Sequence, residues 1–285
     1  MCSSDLPYFP LSQLGAVVVK SLAAYEWAGN PAPRVHTAGN GMINAVGLQG
    51  PGVAAWLEHD LPALAATGAR VVASIWGRSV DDYRRAAEQL AEASDSVVAV
   101  EVNLSCPNLE GRRGIFAHDA ALSAEVIRAT AACGRPRWAK LSPNTDRVVE
   151  VAGAVHDAGA EAVTLVNTLL GMVLDPDTGR PALGAGGGGY SGTPIHAVAV
   201  RTIFDVRAAL PDLPIVGVGG VAAGWDAAEL LLAGANAVQV GTATFDDPRA
   251  AIKVQQALLE WCARRSLSPS ELSGLAHRGG LPPTG

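Results

Sequence analysis

"SVVAVEVNLSCPN" (Ser96–Asn108) poses the fold question most sharply. Its first half is an apolar, β-branched run of strand length. Apolar residues follow one another there instead of alternating with polar ones, the pattern of a strand covered on both faces in a parallel sheet. The run then turns polar within four residues: Asn103, Ser105, Cys106 and Asn108, with Pro107 closing the turn. A covered strand that ends in neutral polar groups around one thiol asks whether its carboxyl end belongs to a site.

Similar runs recur on either side. They are "GAVVVK" (Gly15–Lys20), "RVVASIW" (Arg70–Trp76), "RWAKL" (Arg137–Leu141), "EAVTLVN" (Glu161–Asn167), "PIVGV" (Pro214–Val218) and "NAVQVG" (Asn236–Gly241). Helical patterns separate them. Ser79 precedes Asp81, Asp82 and a Tyr83/Ala86/Ala87/Leu90 stripe, which reads as a capped helix start. Thr145 and Asp146 open a helix over Val148–Ala158 that stops at Gly159; Pro194 opens one to about Leu210, and Asp247-Pro248 opens the last long one. Strand–helix alternation of this kind fits a doubly wound sheet or a (β/α)8 barrel. No G-x-G-x-x-G motif follows a first strand, so the barrel is favoured. The runs number seven where a barrel has eight, and "MCSSDL" (Met1–Leu6) does not read as a strand. The expected fold is therefore an α/β (β/α)8 TIM barrel lacking its N-terminal first strand. One domain over 1–285 is expected, with 1–6 foreign or disordered and 265–285 a tail. The longest irregular region is Thr168–Thr193, which ends in "GAGGGGYSG" (Gly184–Gly192) and reads as a functional loop.

Composition narrows the function. The 285 residues are 49% hydrophobic and 17% charged, so a large core is available and disorder is disfavoured. The net charge of −6 comes without a basic run, which argues against nucleic acid or an anionic membrane as partner. No apolar stretch approaches a membrane span, and the N-terminus lacks the order of a signal peptide. Cys2, Cys106, Cys133 and Cys262 show no zinc spacing and no disulfide framework, which fits a reducing, cytoplasmic setting. The six histidines stand singly; His36, His59, His156 and His277 read as surface or helix positions, and the same ordinary reading is favoured for His118 and His196.

In barrels, functional groups gather at the carboxyl ends of the strands. Those ends carry Lys20 and Ser21, Ser74, Asn103 to Cys106, Lys140 with "SPN", Asn167-Thr168, Gly217–Gly220 and Gly241-Thr242. "GVGG" and "VGTA" end consecutive late strands, where glycine lets backbone N–H groups approach an anion. A phosphate site and a pair of tight βα turns both account for them. Lys20 and Lys140 stand at strand ends, where a buried ammonium needs a negative partner or reaches water. Asn44, Asn103, Asn108 and Asn167 can donate and accept, matching a planar ligand edge such as a pyrimidinedione, although each alone reads as a turn residue. "GMINAVGLQGPG" (Gly41–Gly52) places one of these amides in a glycine-rich turn. A lone cysteine is usually a small buried hydrophobe. Cys106 has no histidine or aspartate beside it in sequence, so its place after a strand favours a proton-transfer base over a nucleophile.

The motifs "GNPAPR", "GMINAVGLQGPG", "EVNLSCPN", "KLSPN", "LVNTLLGM", "YSGTPI", "GVGG" and "AGANAVQVGTA" run in this order from about Tyr8 to Pro248. Together they resemble the class 1 dihydroorotate dehydrogenases, and "GNPAPR" followed by "NAVGLQ" is most similar to the catalytic subunit of subclass B. The resemblance implies FMN across the mouth of a barrel. It makes Cys106 the base that removes the C5 proton of dihydroorotate as hydride leaves C6 for the flavin. It assigns Lys20, Asn44, Ala45, Val46, Gly47, Leu48, Asn103, Asn167 and Thr168 to the substrate. FMN is assigned to Lys20, Ser21, Ser74, Asn103, Lys140, Val166, Gly192, Gly219, Gly220, Gly241 and Thr242. It also implies a partner subunit carrying FAD and an iron–sulfur cluster that passes electrons to NAD, in a heterotetramer built on a homodimer. Two departures stand out: Ser74 replaces a common asparagine, and nothing matches the family's N-terminal strand with its "A-S-G"-like flavin contact, as in a truncated reading frame. Competing expectations are a fumarate-linked class A enzyme, a dihydropyrimidine-type flavoenzyme, an FMN-free phosphate-binding isomerase or aldolase, and an inactive fragment.

Overall fold

The structure, a computed structural model, describes residues 8–105, 107–108 and 114–282. Cys106 and the "MCSSDL" segment lie outside the described residues. Along the chain the strands are β1 (Val17–Val18), β2 (Val35–Ala38), β3 (Gly41–Asn44), β4 (Val71–Ile75), β5 (Val97–Asn103), β6 (Pro107–Asn108), β7 (Gly114–Ile115) and β8 (Arg137–Lys140). They continue with β9 (Ala162–Leu165), β10 (Leu169–Gly171), β11 (Gly188–Gly192), β12 (Ile215–Val218) and β13 (Ala237–Gln239). The α-helices are α1 (Val53–His59), α2 (Leu61–Ala66), α3 (Val80–Leu90), α4 (Ala120–Ala129), α5 (Val148–Asp157), α6 (His196–Ala209), α7 (Gly224–Ala233), α8 (Ala250–Ala263) and α9 (Pro269–Leu272).

These elements form two compact units: residues up to Pro31 with Val46–Ala162, and Ala32–Ala45 with the residues from Val163 onward. In the first unit β1, β4, β5 and β8 run parallel in that order. Val71, Val72, Ala73, Val100, Val102 and Ala139 are fully buried, as continuous apolar strands require. Helix α3 begins where its sequence says it should: the Ser79 hydroxyl accepts from the Asp82 amide at 3.1 Å, satisfying an otherwise orphan donor. Asp81 and Asp82 complement the positive end of its dipole, and Tyr83, Ala86, Ala87 and Leu90 form its buried stripe. Asp119 caps α4 in the same way, accepting from Leu122 N at 2.9 Å.

In the second unit β9, β12 and β13 run parallel. The Asp226 carboxylate opens α7 by accepting from the amides of Ala222 and Ala223 at 2.9 and 2.8 Å. All seven expected parallel strands are present, most of them shorter than their apolar runs. Parallel strands joined by helices in this manner are the α/β class and fit a barrel-like chain path.

The region Thr168–Thr193 is irregular only in its middle, where 172–187 carries turns and isolated bridges. It contributes β10 and β11 to an antiparallel sheet of order β10-β11-β3-β2 within the second unit. Tight packing selects glycine in β11: a Cβ at Gly188 would lie 2.5 Å from the Asn44 carbonyl oxygen, and one at Gly189 would lie 2.2 Å from Thr168 Oγ1. Beyond α8, the His277 ring stacks on Phe204 at 3.9 Å and its Nε2 meets the Ala233 carbonyl at 3.0 Å.

Candidate active site

The first unit concentrates polar groups on one face of its sheet. Parallel pairing sets Ser74 opposite Glu101, Glu101 opposite Trp138, and Asn103 opposite Lys140. Side chains alternate across a strand, so Glu101 and Asn103 share a face with Ser74 and Lys140. A hydrogen-bond chain links this face to the end of β1: Ser74 Oγ and Ser21 Oγ lie 2.9 Å apart, and Asn103 Nδ2 donates to Ser21 Oγ at 3.2 Å. Asn103 Oδ1 then accepts from the Ser105 amide at 3.2 Å, holding the chain as it leaves β5. From behind, the buried Tyr83 hydroxyl donates to the Asn103 carbonyl at 2.6 Å. Ser21, Ser74, Asn103 and Lys140, all assigned to FMN from sequence, therefore meet in one place. Lys20 follows β1 and is exposed.

Lys140 also has a partner that sequence reading passed over. Its Nζ lies 3.5 Å from Glu101 Oε1, and the Glu101 side chain is 1% exposed against 21% for Lys140. The signal was available: Glu101 is the one ionisable residue in "VVAVEVN", and a strand covered on both faces does not bury a carboxylate without a counter-charge.

Within the same unit the segment Val46–Leu48 is tied to "WAGN" (Trp27–Asn30). Trp27 Nε1 donates to the Gly47 carbonyl at 2.9 Å, and the Asn30 amide donates to the Val46 carbonyl at 3.0 Å. Gly47 has φ +73° and Leu48 φ +60°, left-handed values that wrap the backbone tightly here. Leu48 packs against Ala23 and Trp76, which seats the turn on the core.

The second unit holds the remaining assigned residues. Asn44 Nδ2 donates to the Gly189 carbonyl at 3.3 Å, and Asn167 Oδ1 accepts from the Thr168 amide at 2.9 Å. Thr168 abuts Gly189, so Asn44 and Thr168 converge on β11. The Ala45 amide donates to the Arg34 carbonyl at 2.8 Å. A second cluster forms around the turn after β12. Gly219 and Gly220 have φ +139° and +69°, and Gly192 has φ +97°. A Cβ at Gly219 would lie 3.5 Å from Val166, one at Gly192 3.5 Å from Thr242 Cγ2, and one at Gly220 2.9 Å from the Gly192 carbonyl. Val166, Gly192, Gly219, Gly220 and Thr242 are thus neighbours, while Gly241 faces open space. Backbone amides in a turn of close-packed, left-handed glycines suit a phosphate. Serine, asparagine and lysine at the strand ends of the first unit suit a polar heterocycle, so each set by itself fits one part of FMN chemically.

Asn108 lies in β6, which pairs antiparallel with β7. Among the described residues no group of three or more metal-binding side chains occurs, and no helix is long and apolar enough to cross a membrane.

Comparison with known proteins agrees with this chemistry. The family model described as dihydroorotate dehydrogenase matches residues 1–261. A protein of Alkaliphilus metalliredigens named "Dihydroorotate dehydrogenase B (NAD(+)), catalytic subunit" is 41% identical over 261 residues, covering 91% of this chain and 85% of its own length. A protein of the same name in Desulforudis audaxviator is 43% identical over 276 residues, 96% of this chain and 89% of its own. A Solibacter usitatus protein whose name assigns it provisionally to the fumarate-linked A class is 41% identical, over 90% of this chain and 84% of its own.

Proposed function

Since the chain belongs to the dihydroorotate dehydrogenase family, we propose that it oxidises (S)-dihydroorotate to orotate in pyrimidine biosynthesis, as a catalytic subunit of subclass B. The observation that carries this reading is the run of neutral polar groups from Ser74 through Ser21 to Asn103, with Lys140 and its buried partner Glu101 on the same sheet face. That set suits an uncharged, hydrogen-bonding heterocycle with one position of developing negative charge. A (β/α)8 frame is consistent with the seven parallel strands.

FMN, when bound, supplies the acceptor for the hydride that leaves C6 of the substrate. Lys20, Ser21, Ser74, Asn103 and Lys140 are the residues of the first unit assigned to it. Val166, Gly192, Gly219, Gly220, Gly241 and Thr242 are those of the second, the glycine amides serving the phosphate. Asn44, Asn167 and Thr168 are assigned to pair with the alternating C=O and N–H groups of the pyrimidine, and the turn Ala45–Leu48 to press backbone against it. Asn103 donates to Ser21 and accepts from the Ser105 amide, which fixes its side chain beside the end of β1. Cys106 follows this cluster in sequence and is assigned as the base: it takes the C5 proton and holds it at Sγ. A partner subunit carrying FAD and an iron–sulfur cluster would supply the route from the reduced flavin to NAD.

The test is anaerobic reduction of the bound flavin by dihydroorotate, followed by its loss of yellow colour. The wild-type chain should bleach. Cys106→Ala should retain flavin and bleach at least about a hundredfold more slowly, the scale of a lost general base. Bleaching of Cys106→Ala at the wild-type rate would remove the assigned base, and a chain that takes up no FMN would overturn the function. NAD reduction only with the iron–sulfur subunit present supports subclass B, whereas fumarate reduction by the chain alone assigns it to class A.

A further inference from the structure

His196 reads in sequence as an ordinary helix residue, the first of α6. Its ring instead bridges two oxygens in the second unit. Nδ1 lies 2.8 Å from the Gly219 carbonyl, and Nε2 lies 3.2 Å from Glu229 Oε2 on α7. The Gly219 carbonyl can only accept, so Nδ1 carries the donated N–H, while Nε2 faces the Glu229 carboxylate. The His196 side chain is largely buried and the turn packs directly on it: a Cβ at Gly220 would lie 2.7 Å from His196 Cβ, and one at Gly219 would lie 2.7 Å from Ala199 Cβ.

The Gly219 carbonyl and the Gly220 amide belong to one planar peptide unit, in which C=O and N–H point to opposite sides. By drawing the Gly219 oxygen toward its own ring, His196 turns the Gly220 N–H away from α6. Glycines at φ +139° and +69° put little steric restraint on that peptide, so a second restraint has to set its orientation. Glu229 in turn fixes the ring by holding the other nitrogen.

We propose that His196, oriented by Glu229, is a positioning residue that aims the Gly220 amide at the phosphate of FMN. This rests on the reading of the chain as an FMN enzyme. His196 touches no ligand itself; it acts through one backbone carbonyl.

The experiment measures the affinity of the flavin-free protein for FMN and for riboflavin, which lacks the phosphate, by quenching of flavin fluorescence. Two near-isosteric variants separate the two contacts. His196→Asn places an amide nitrogen where Nδ1 stood and keeps the donor to Gly219, while His196→Gln places one where Nε2 stood and keeps only the link to Glu229. His196→Gln and His196→Ala should bind FMN about tenfold more weakly, the worth of one well-placed hydrogen bond, with riboflavin affinity unchanged. His196→Asn should recover most of the FMN affinity, and the phosphorus resonance of bound FMN should shift in His196→Gln but not in His196→Asn. An equal loss of FMN and riboflavin affinity in His196→Gln would reduce His196 to a structural role and overturn the inference, as would unchanged FMN affinity. Should His196→Ala not fold, the Asn and Gln pair decides. A wild-type chain that binds FMN no better than riboflavin would overturn the phosphate assignment itself, a result distinct from any difference between the variants.

Discussion

The Glu101–Lys140 pair should be detectable as a coupling energy between two residues that sit on neighbouring strands. At 3.5 Å, Coulomb's law with an effective dielectric of ~20 gives an attraction of about 4.7 kcal/mol. Desolvation of Glu101, 1% exposed, offsets much of this, so the pair as a whole adds little net stability over an apolar replacement. Breaking it is a different matter. Lys140→Met leaves a carboxylate buried beside a methyl group, a defect costing about 3 kcal/mol, at the low end for buried pairs because Lys140 is 21% exposed and its ammonium partly hydrated. Glu101→Gln removes the charge, keeps the shape and should cost about 2 kcal/mol. In the double variant neither charge remains, so it should be no less stable than Lys140→Met alone, which makes the coupling about 2 kcal/mol.

The assay is urea unfolding of the flavin-free protein for the four members of the cycle, at matched ionic strength and with unchanged m-values required. Coupling below about 0.5 kcal/mol would mean that solvent already screens the pair as it does on a surface. A double variant markedly less stable than either single one would mean that the side chains contribute through packing, not charge.

Two further outcomes follow from individual contacts. Trp27→Phe keeps the aromatic packing but deletes the 2.9 Å bond to the Gly47 carbonyl; KM for dihydroorotate should rise about fivefold with kcat nearly unchanged, because the turn Ala45–Leu48 is assigned to binding and not to proton transfer. Burial pushes the Cys133 thiol above its ordinary value of 9.0; the unfolded chain therefore sheds this proton first, and stability present below pH ~9 is lost as pH rises, by at most about 1.4 kcal/mol per pH unit. The stability difference between wild type and Cys133→Ala should accordingly shrink between about pH 8 and about pH 10, and a constant difference would refute the assigned burial cost.

Much of this was legible from local pattern. The seven parallel strands announce themselves because burial on both faces demands unbroken apolar runs, and α3 because Ser79 and its acidic first turn satisfy donors at a predictable spacing. The antiparallel sheet was hidden. Its strands read "VHTA", "GMIN", "LLG" and "GGYSG", too short and too rich in glycine for strand propensity to register. Gly189 is glycine because of Thr168, and Gly188 because of Asn44, contacts that reach across as many as 144 positions and leave no mark on their own neighbourhood. The site divides along the same line. Ser74, Asn103 and Lys140 were visible as polar residues at the ends of apolar strands. His196 was not, since the carbonyl that gives it meaning lies 23 residues further on, and Glu101 was lost inside the run that identified its strand.

The face that carries Glu101, Asn103, Ser74 and Lys140 does more than present a site. Val100, Val102, Ala73 and Ala139 occupy the intervening positions and are fully buried. Because side chains alternate strictly, a slip of β5 by one residue would carry Glu101 and Asn103 to the apolar side and break the Ser21 bond and the ion pair together. An all-apolar strand such as "VVAV" could slide with little penalty. The Glu101–Lys140 pair is set diagonally: Glu101 stands opposite Trp138 and reaches two residues along β8, so a one-residue slip of β5 against β8 breaks it. Charges that contribute little to net stability thereby penalise the slips that would exchange the two faces of β5. The same residues assigned to FMN are then the ones that align β4, β5 and β8, and the geometry of the site follows from the pairing that the site residues themselves select.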